Sequence, residues 1–458
     1  MCERPNILII YPDQMRADVM GCAGNPCVRT PNIDRLAREG VRFDHAYTSY
    51  PLCSPFRASL MTGKYAHANG MYANHYPIPL DQLFLADIYR QHGYQTGYVG
   101  KWHLDGGQKH SFIPPERRLG FEWFVGFNRG HEYFHPLFYR CDDPRPRTSG
   151  RFEPEVQTDH LIEFLRLCRH ERPGQPFLAM IAYGPPHPPM NLPEHYAQLY
   201  RPDQVPVRAN TPDDPTPIRR GRDFLARYYG LVSSIDDNVG RILRWLDQAG
   251  VADNTIVYLV SDHGEMADEH GHIGKRTYYE ASMRVPLIVR WPQGLRGGHT
   301  VQHLVDPAVD SMPTLLELCG LPIPGEVQGT SFAPPLEGAS RPAREAVFYE
   351  VLMEKDGPER FPIPERGVRT HEWLYARTQE QPLALFDLAR DPLEMHNLVD
   401  SSSHAGTAAE LDIMLGNHMR LTRDDWGIEA VFPPEDFVTH EEGREFYLRQ
   451  LGQAIEER

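Results

Sequence analysis

The sequence predicts an α/β fold: a large, mostly parallel sheet flanked by helices, followed by a smaller C-terminal α+β subdomain. Two observations predict it. Short apolar runs of strand length alternate with stretches of helical period through most of the chain. After about residue 340 that alternation gives way to closely spaced strand-like runs and then one helical segment. The expected division is a catalytic-type α/β domain over 1–340 and an α+β subdomain, with a small antiparallel sheet and a helical tail, over 341–458.

The first strand is NILIIY (6–11), apolar throughout and so suited to a strand covered on both faces. TGYVG (96–100), FLAMIAY (177–183), TIVYLV (255–260) and VPLIVRW (285–291) read the same way, and all five are expected to run parallel. Helices are expected over TPNIDRLAREG (30–40), SPFRASLMTG (54–63), LFLADIYRQHG (83–93), HLIEFLRLCRH (160–170), a long stretch from Asp223 to Gly250, and VDSMPTLLELCG (309–320). The first, third and last of these close on glycine, a helix stop signal. Residues 105–155 are rich in glycine, proline, aromatics and histidine without a clear period, and 184–222 are rich in proline and charge. Both are expected as long loops that shape a site. AVFYEV, GVRTHEWLYAR and PLALFDL then read as short antiparallel strands, with a helix over AAELDIMLGNHMRLTRDDW.

The 458 residues suffice for one large domain and a smaller one, and 41% hydrophobic content supports a substantial core. A net charge of −15 argues against a nucleic-acid binder, which carries a basic face. The seven cysteines are sparse, odd in number and form no CxxC pair, which disfavours a disulfide framework or a structural zinc site. The start MCERPNILIIYPDQ enters a strand pattern at once and has no leader-like apolar run, and no segment has the length and apolarity of a membrane span. The expectation is a cytoplasmic chain with no membrane partner.

Ligands of open α/β sheets bind beyond the carboxyl ends of the strands. There the sequence places Asp13 and Gln14 after the first strand, Lys101 and His103 after the second, His187 after the third, and Asp262 and His263 after the fourth. An aspartate after a strand is by itself a turn or cap residue. Together, two carboxylates, an amide oxygen and a histidine are able to hold a divalent cation, while Lys101, His103, His187 and Lys275 supply positive or proton-donating groups. That combination suits an anionic oxygen clamped between a metal and basic side chains. Oxygen-rich ligation favours Ca²⁺, Mg²⁺ or Mn²⁺ over zinc. Cys53 opens a predicted helix, where backbone N–H groups favour an anion. A buried thiol, a metal ligand, a thiolate nucleophile of lowered pKa and a precursor of another group all remain open for it.

Cys53-Ser54-Pro55-Phe56-Arg57 fits the C-x-P-x-R signature of the type I sulfatases, and LMTGKYAHANGM continues as that family does. GYVGKWHL (97–104), SDHGEMADEHGHIGKRTYYEASMRVPLIVRWP (261–292) and LFDLARDPLEMHNL (385–398) also resemble sulfatase blocks in the same order. The resemblance implies an alkaline-phosphatase-like fold and a sulfuric-ester hydrolase. It implies that Cys53 is oxidised to Cα-formylglycine (3-oxoalanine), by a formylglycine-generating or anaerobic sulfatase-maturing enzyme. One hydroxyl of the hydrated aldehyde then attacks sulfur, and the other expels sulfate. By the same resemblance Asp13, Gln14, Asp262, His263 and the modified Cys53 face one metal, with Ca²⁺ favoured and Mn²⁺ or Mg²⁺ as alternatives. Arg57 and Lys101 stabilise the diol, His103 assists its deprotonation, and His187 and Lys275 bind sulfate and protonate the leaving oxygen. The implied substrate is a small-molecule or saccharide sulfate ester.

Two departures bear on this. Many members carry an Asp pair where this chain has Asp13-Gln14, and Asp-Asn where it has Asp262-His263. The second pair resembles the choline-sulfatase, iduronate-sulfatase and phosphonate-monoester-hydrolase branches. The rival reading is therefore a phosphonate monoester or phosphodiester hydrolase of the same superfamily. Lys275 in GHIGKR favours the sulfatase, and the complete polar set argues against a non-catalytic binding protein.

Overall fold

A computed structural model describes residues 4–338, 344–352 and 364–426. Its main sheet has ten strands: β1 (Asn6–Asp13), β2 (Val41–Phe43), β3 (Gln95–Lys101), β4 (Trp123–Phe127), β5 (Leu137–Arg140), β6 (Asp143–Thr148), β7 (Phe177–Pro186), β8 (Thr255–Val260), β9 (Leu287–Arg290) and β10 (His299–Val301). Their order is β10-β2-β9-β8-β1-β7-β3-β4-β5-β6. β8, β1, β7, β3 and β4 run parallel and bring their carboxyl ends to one edge.

Alternation along β1 explains the layers, since successive side chains of a strand face opposite ways. Ile7, Ile9 and Tyr11 join one core with Phe56 and Met61 of the Cys53–Thr62 helix and Met312 of the Pro307–Leu318 helix. Leu8 and Ile10 join the other with Leu161 and Phe164 of the Glu153–Glu171 helix and Val232, Ile235 and Val239 of the Pro215–Gln248 helix. Among the described residues no helix is long and apolar enough to cross a membrane.

Four expectations are corrected. VPLIVRW does not run parallel: β9 pairs antiparallel with β8 and β2. A parallel neighbour needs a long crossover, usually helical. The chain between β8 and β9 holds only short helical turns, Glu269–Gly271 and Glu280–Met283, and is otherwise irregular. Residues 105–155 are not one loop, because β4, β5, β6 and the start of the Glu153–Glu171 helix lie within them. GVRTHEWLYAR is a hairpin of two strands rather than one strand. The long helix also begins earlier than Asp223, at Pro215, where the Asp214 side chain accepts from Thr216 N–H at 2.8 Å. Proline at the first helical position and aspartate before it are both favoured starts.

The second sheet is antiparallel, in the order β11 (Val347–Val351), β12 (Glu365–Arg369), β13 (Trp373–Thr378) and β14 (Pro382–Asp387). The Ala405–Thr422 helix covers it through Leu411, Leu415 and Met419. Its first strand packs Val347, Tyr349 and Val351 against Tyr47, Tyr50 and Leu52, immediately before Cys53. A buried ion cluster locks the two sheets together. Arg369 donates to Glu394 at 2.8 Å and to Glu280 at 2.7 Å, with its guanidinium 4.3 Å from the Tyr47 ring centre. The helix expected over AAELDIMLGNHMRLTRDDW is the Ala405–Thr422 helix; the part of the expected subdomain beyond Trp426 lies outside the described residues.

Arg369→Ala would leave the buried Glu394 without its cation and the partly buried Glu280 with Arg284 alone. The expected loss is about 3–5 kcal/mol of unfolding free energy, read from the urea midpoint; a loss below about 1 kcal/mol, as for an exposed pair, would show that this cluster does not hold the sheets together.

Candidate active site

Asp13 closes β1 and is wholly buried. Its Oδ2 accepts from Arg57 at 3.0 Å and from Lys101 Nζ at 2.8 Å. Its Oδ1 lies 3.7 Å from the Cys53 sulfur and 4.0 Å from His263 Nε2. Burial works to raise this carboxyl's pKa, but Lys101, His187 and Arg57 outweigh it and hold Asp13 well below the usual carboxylate range.

Asp262 and His263 follow β8. Asp262 Oδ1 accepts from the backbone N–H of Gln14 at 2.8 Å and of His263 at 3.0 Å, whereas its Oδ2 is buried with no hydrogen-bond partner. His263 Nδ1 lies 2.9 Å from the Gly264 carbonyl. A carbonyl only accepts, so Nδ1 carries the proton and Nε2 presents a lone pair. Burial, aided by Lys275 and opposed by Asp262, brings the His263 pKa down to about 4, so the ring is neutral at neutral pH. Nε2 lies 3.3 Å from the Cys53 sulfur.

Donor atoms of Asp13, Cys53, Asp262 and His263 all lie within 4.8 Å of one another. An orphaned carboxylate oxygen and a bare imidazole nitrogen on one buried point fit a divalent cation. Gln14 adjoins this cluster by its backbone N–H, while its amide oxygen accepts from Lys275 Nζ and its amide nitrogen donates to Glu265. A second grouping, His67 with Glu350 and Asp424, differs. There His67 bonds Glu350 at 2.6 Å and Asp424 is taken by Arg366, so the charges are internally paired.

Cys53 is the first residue of its helix and is buried. A thiolate favoured by the helix terminus does not result. Burial, with Asp13 next, raises the thiol pKa against the opposing effect of Lys101 and Lys275. Arg57, one turn along the same helix, donates to Asp13 and to the Lys101 carbonyl.

His103 sits with φ 57°, and its carbonyl accepts from Ser54 Oγ at 2.8 Å, which seats it beside the helix that begins at Cys53. Both its ring nitrogens are buried without a hydrogen-bond partner. Burial, then Lys101 and His75, hold its pKa well below the histidine range. His187 follows β7, with Nδ1 2.5 Å from the Pro188 carbonyl. Its pKa is lowered by burial and then by Lys275.

Two residues join the site that the sequence did not single out. His131 lies 3.2 Å from Lys101 Nζ and stacks on His187, with ring centres 3.9 Å apart. Glu265 takes the Gln14 amide and accepts from the N–H groups of Ala267 and Gly274, fixing the loop that carries Lys275. Position after a strand was the available signal for His131, but β4 was not read as a strand.

Paired carboxylates backed by lysines and histidines, at the carboxyl edge of a parallel sheet, define an enzyme that acts on a tetrahedral anion. The family model Sulfatase matches residues 5–321, and the model for the C-terminal part of N-sulphoglucosamine sulphohydrolase matches 268–420. An ulvan-active sulfatase of Formosa agariphila is 34% identical over 92% of this chain and 82% of its own length. A solved structure in complex with its substrate D-glucosamine-2-N,6-O-disulfate superposes with TM-score 0.82 at 25% identity, over 92% of this chain and 99% of that one. The phosphonate monoester hydrolase of Agrobacterium radiobacter, at TM-score 0.76 and 24% identity over 92% and 96%, shares the fold. The chain belongs to the sulfatase family. It is a hydrolase of sulfate esters, as the expected fold and activity required.

The raised thiol pKa gives a direct expectation. In protein made without conversion of Cys53, iodoacetamide at neutral pH should alkylate the half-buried Cys27 and Cys141 well before Cys53. Labelling of Cys53 at a matching rate would contradict both its burial and its raised pKa.

Proposed function

We propose that this enzyme removes sulfate from a sulfated saccharide, using formylglycine made from Cys53 and one divalent cation. The observation that carries the reading is the placement of the Cys53 sulfur between Asp13 and His263, in an environment that disfavours a thiolate. The sulfur stands where the aldehyde hydrate of the mature enzyme would stand, and that hydrate supplies both the attacking oxygen and the hydroxyl that later expels sulfate. Asp13, Asp262 and His263, with Gln14 at their edge, would hold the cation, which supplies positive charge to a sulfate oxygen. The donor set favours Ca²⁺, with Mn²⁺ and Mg²⁺ as competitors.

The chain's own side chains do the remaining work. Lys101 and Arg57 keep Asp13 ionised and add positive charge beside the nucleophile. His103, neutral and with unpartnered nitrogens, is able to take a proton from the hydrate. His187 and Lys275, both only half-buried, lie at the outer side and face the ester oxygen. A saccharide is proposed because the substrate-bound relative carries one.

The test is a turnover panel of sulfated sugars and 4-nitrophenyl sulfate beside a phosphonate monoester. Sulfate release from a sugar should exceed phosphonate turnover. Cys53→Ser and Asp262→Ala should each cut turnover by at least about a hundredfold. Re-adding Ca²⁺, Mn²⁺ or Mg²⁺ after chelation ranks the metals. Fragment mass spectra of the 49–65 peptide should show the aldehyde. Full activity with an unmodified thiol at Cys53, or a preference for the phosphonate, would sink the proposal.

A further inference from the structure

His131 is placed by neither a strand that the sequence discloses nor the motif around Cys53, yet it touches two of the basic groups of the site. Its Nε2 lies 3.2 Å from Lys101 Nζ. Its Nδ1 lies 3.2 Å from the Tyr133 hydroxyl, which donates to the backbone carbonyl of His187 at 2.5 Å. Its ring lies parallel to that of His187, with centres 3.9 Å apart and planes 3° apart.

The direction of every bond in this chain follows from its two ends. The His187 carbonyl can only accept, so the Tyr133 proton is spent there. The Tyr133 oxygen must then accept from His131, which puts the imidazole proton on Nδ1. Nε2 is left bare and accepts from the Lys101 ammonium. Lys101 has three N–H bonds. Asp13 takes one at 2.8 Å and His131 a second, so the third has its direction fixed. A ring that already accepts from an ammonium at Nε2 has no site for a second proton. Burial, then His187 and Lys101, push the His131 pKa well below the histidine range, in accord with this.

We propose that His131 is a positioning residue: locked as the neutral Nδ1–H tautomer, it aims the free N–H of Lys101 at the reacting anion and holds the His187 ring by stacking. A neutral partner matters for His187. Its Nδ1–H is committed to the Pro188 carbonyl, so it donates from Nε2 only as an imidazolium. A second imidazolium at 3.9 Å would oppose that charge, whereas a neutral ring face accommodates it. Tyr133 is part of the device, since it sets which nitrogen of His131 is bare.

The inference rests on the sulfatase reading above, and the experiment separates the two. His131→Phe keeps a flat ring but loses both hydrogen bonds. It should lower kcat by about ten- to a hundredfold, with KM changed less than about threefold. The loss should be larger for a sugar sulfate than for 4-nitrophenyl sulfate, because a poor leaving group needs the proton from His187. His131→Gln, which can present an oxygen where Nε2 lay, should recover most of the kcat. Tyr133→Phe should show a smaller loss of the same kind. Long-range ¹H–¹⁵N spectra of the parent protein, with the signal assigned by its loss in His131→Gln, should show a neutral ring protonated on Nδ1. A folded His131→Phe with near-parental kcat, a loss confined to KM, or a proton on Nε2 overturns the inference. An inactive parent enzyme would sink the sulfatase reading instead, and the tautomer measurement would still decide this one.

Discussion

One desolvated carboxylate organises the site. Asp13 ends the central strand with no exposure to water, and a buried charge is costly unless it is paired. Its two cations come from different elements, Arg57 from the helix that begins at Cys53 and Lys101 from the end of β3. Keeping Asp13 ionised therefore fixes where that helix and β3 must end relative to β1. Both cations bind Oδ2, so Oδ1 is left toward Cys53 and His263. The spacing of Cys53 and Arg57 follows. Residues i and i+4 share a helix face, so the face that carries Cys53 also offers the guanidinium to Asp13.

The strand ends are bent to serve this arrangement. Gln14 and His103 have φ of 64° and 57°, a conformation that costs a non-glycine residue free energy and persists only where neighbours over-determine it. Those neighbours are present. The Gln14 N–H donates to Asp262, and its carbonyl accepts from Tyr228. The His103 N–H donates to the Asn128 carbonyl, and its carbonyl accepts from Ser54. Each reversal falls within two residues of its strand's end. Ser261 adds a tie across the same edge, donating to the Pro12 carbonyl and accepting from the Met15 N–H.

This geometry explains what the sequence discloses and what it hides. Asp13, Lys101, His187, Asp262 and His263 were legible because each follows an apolar run long enough to be read as a buried strand. His131 was not, because β4, WFVGF, lies inside the glycine-, proline- and aromatic-rich stretch 105–155 whose lack of period reads as loop. β6, DPRPRT, carries two prolines and three charges, which only an edge strand tolerates. The direction of β9 is absent from its composition, since parallel and antiparallel neighbours differ in the connection rather than in the residues. Glu265 is one acid among several in SDHGEMADEH, and only the fold shows it bonded to Gln14. For Cys53 the residue pattern left four readings open, and the family resemblance was needed to choose among them.

Burial across the site is graded, and the gradient orients the ester. Asp13, Gln14, Cys53, Arg57, Lys101, His103, Asp262 and His263 are buried, while His187 and Lys275 are only partly so. The inner end is buried and lined by charged and polar groups, which suits a sulfate group. On the proposed reading the ester enters sulfate first, with its alcohol toward the less buried His187 and Lys275. The chemistry is then set by buried residues that have little freedom to vary. On the proposed reading, selection of the sulfated alcohol falls to less buried segments such as the stretch between β4 and β5 that carries His131. A chain with net charge −15 is thus able to bind an anion, because the positive groups that matter lie within the site, where screening is weak.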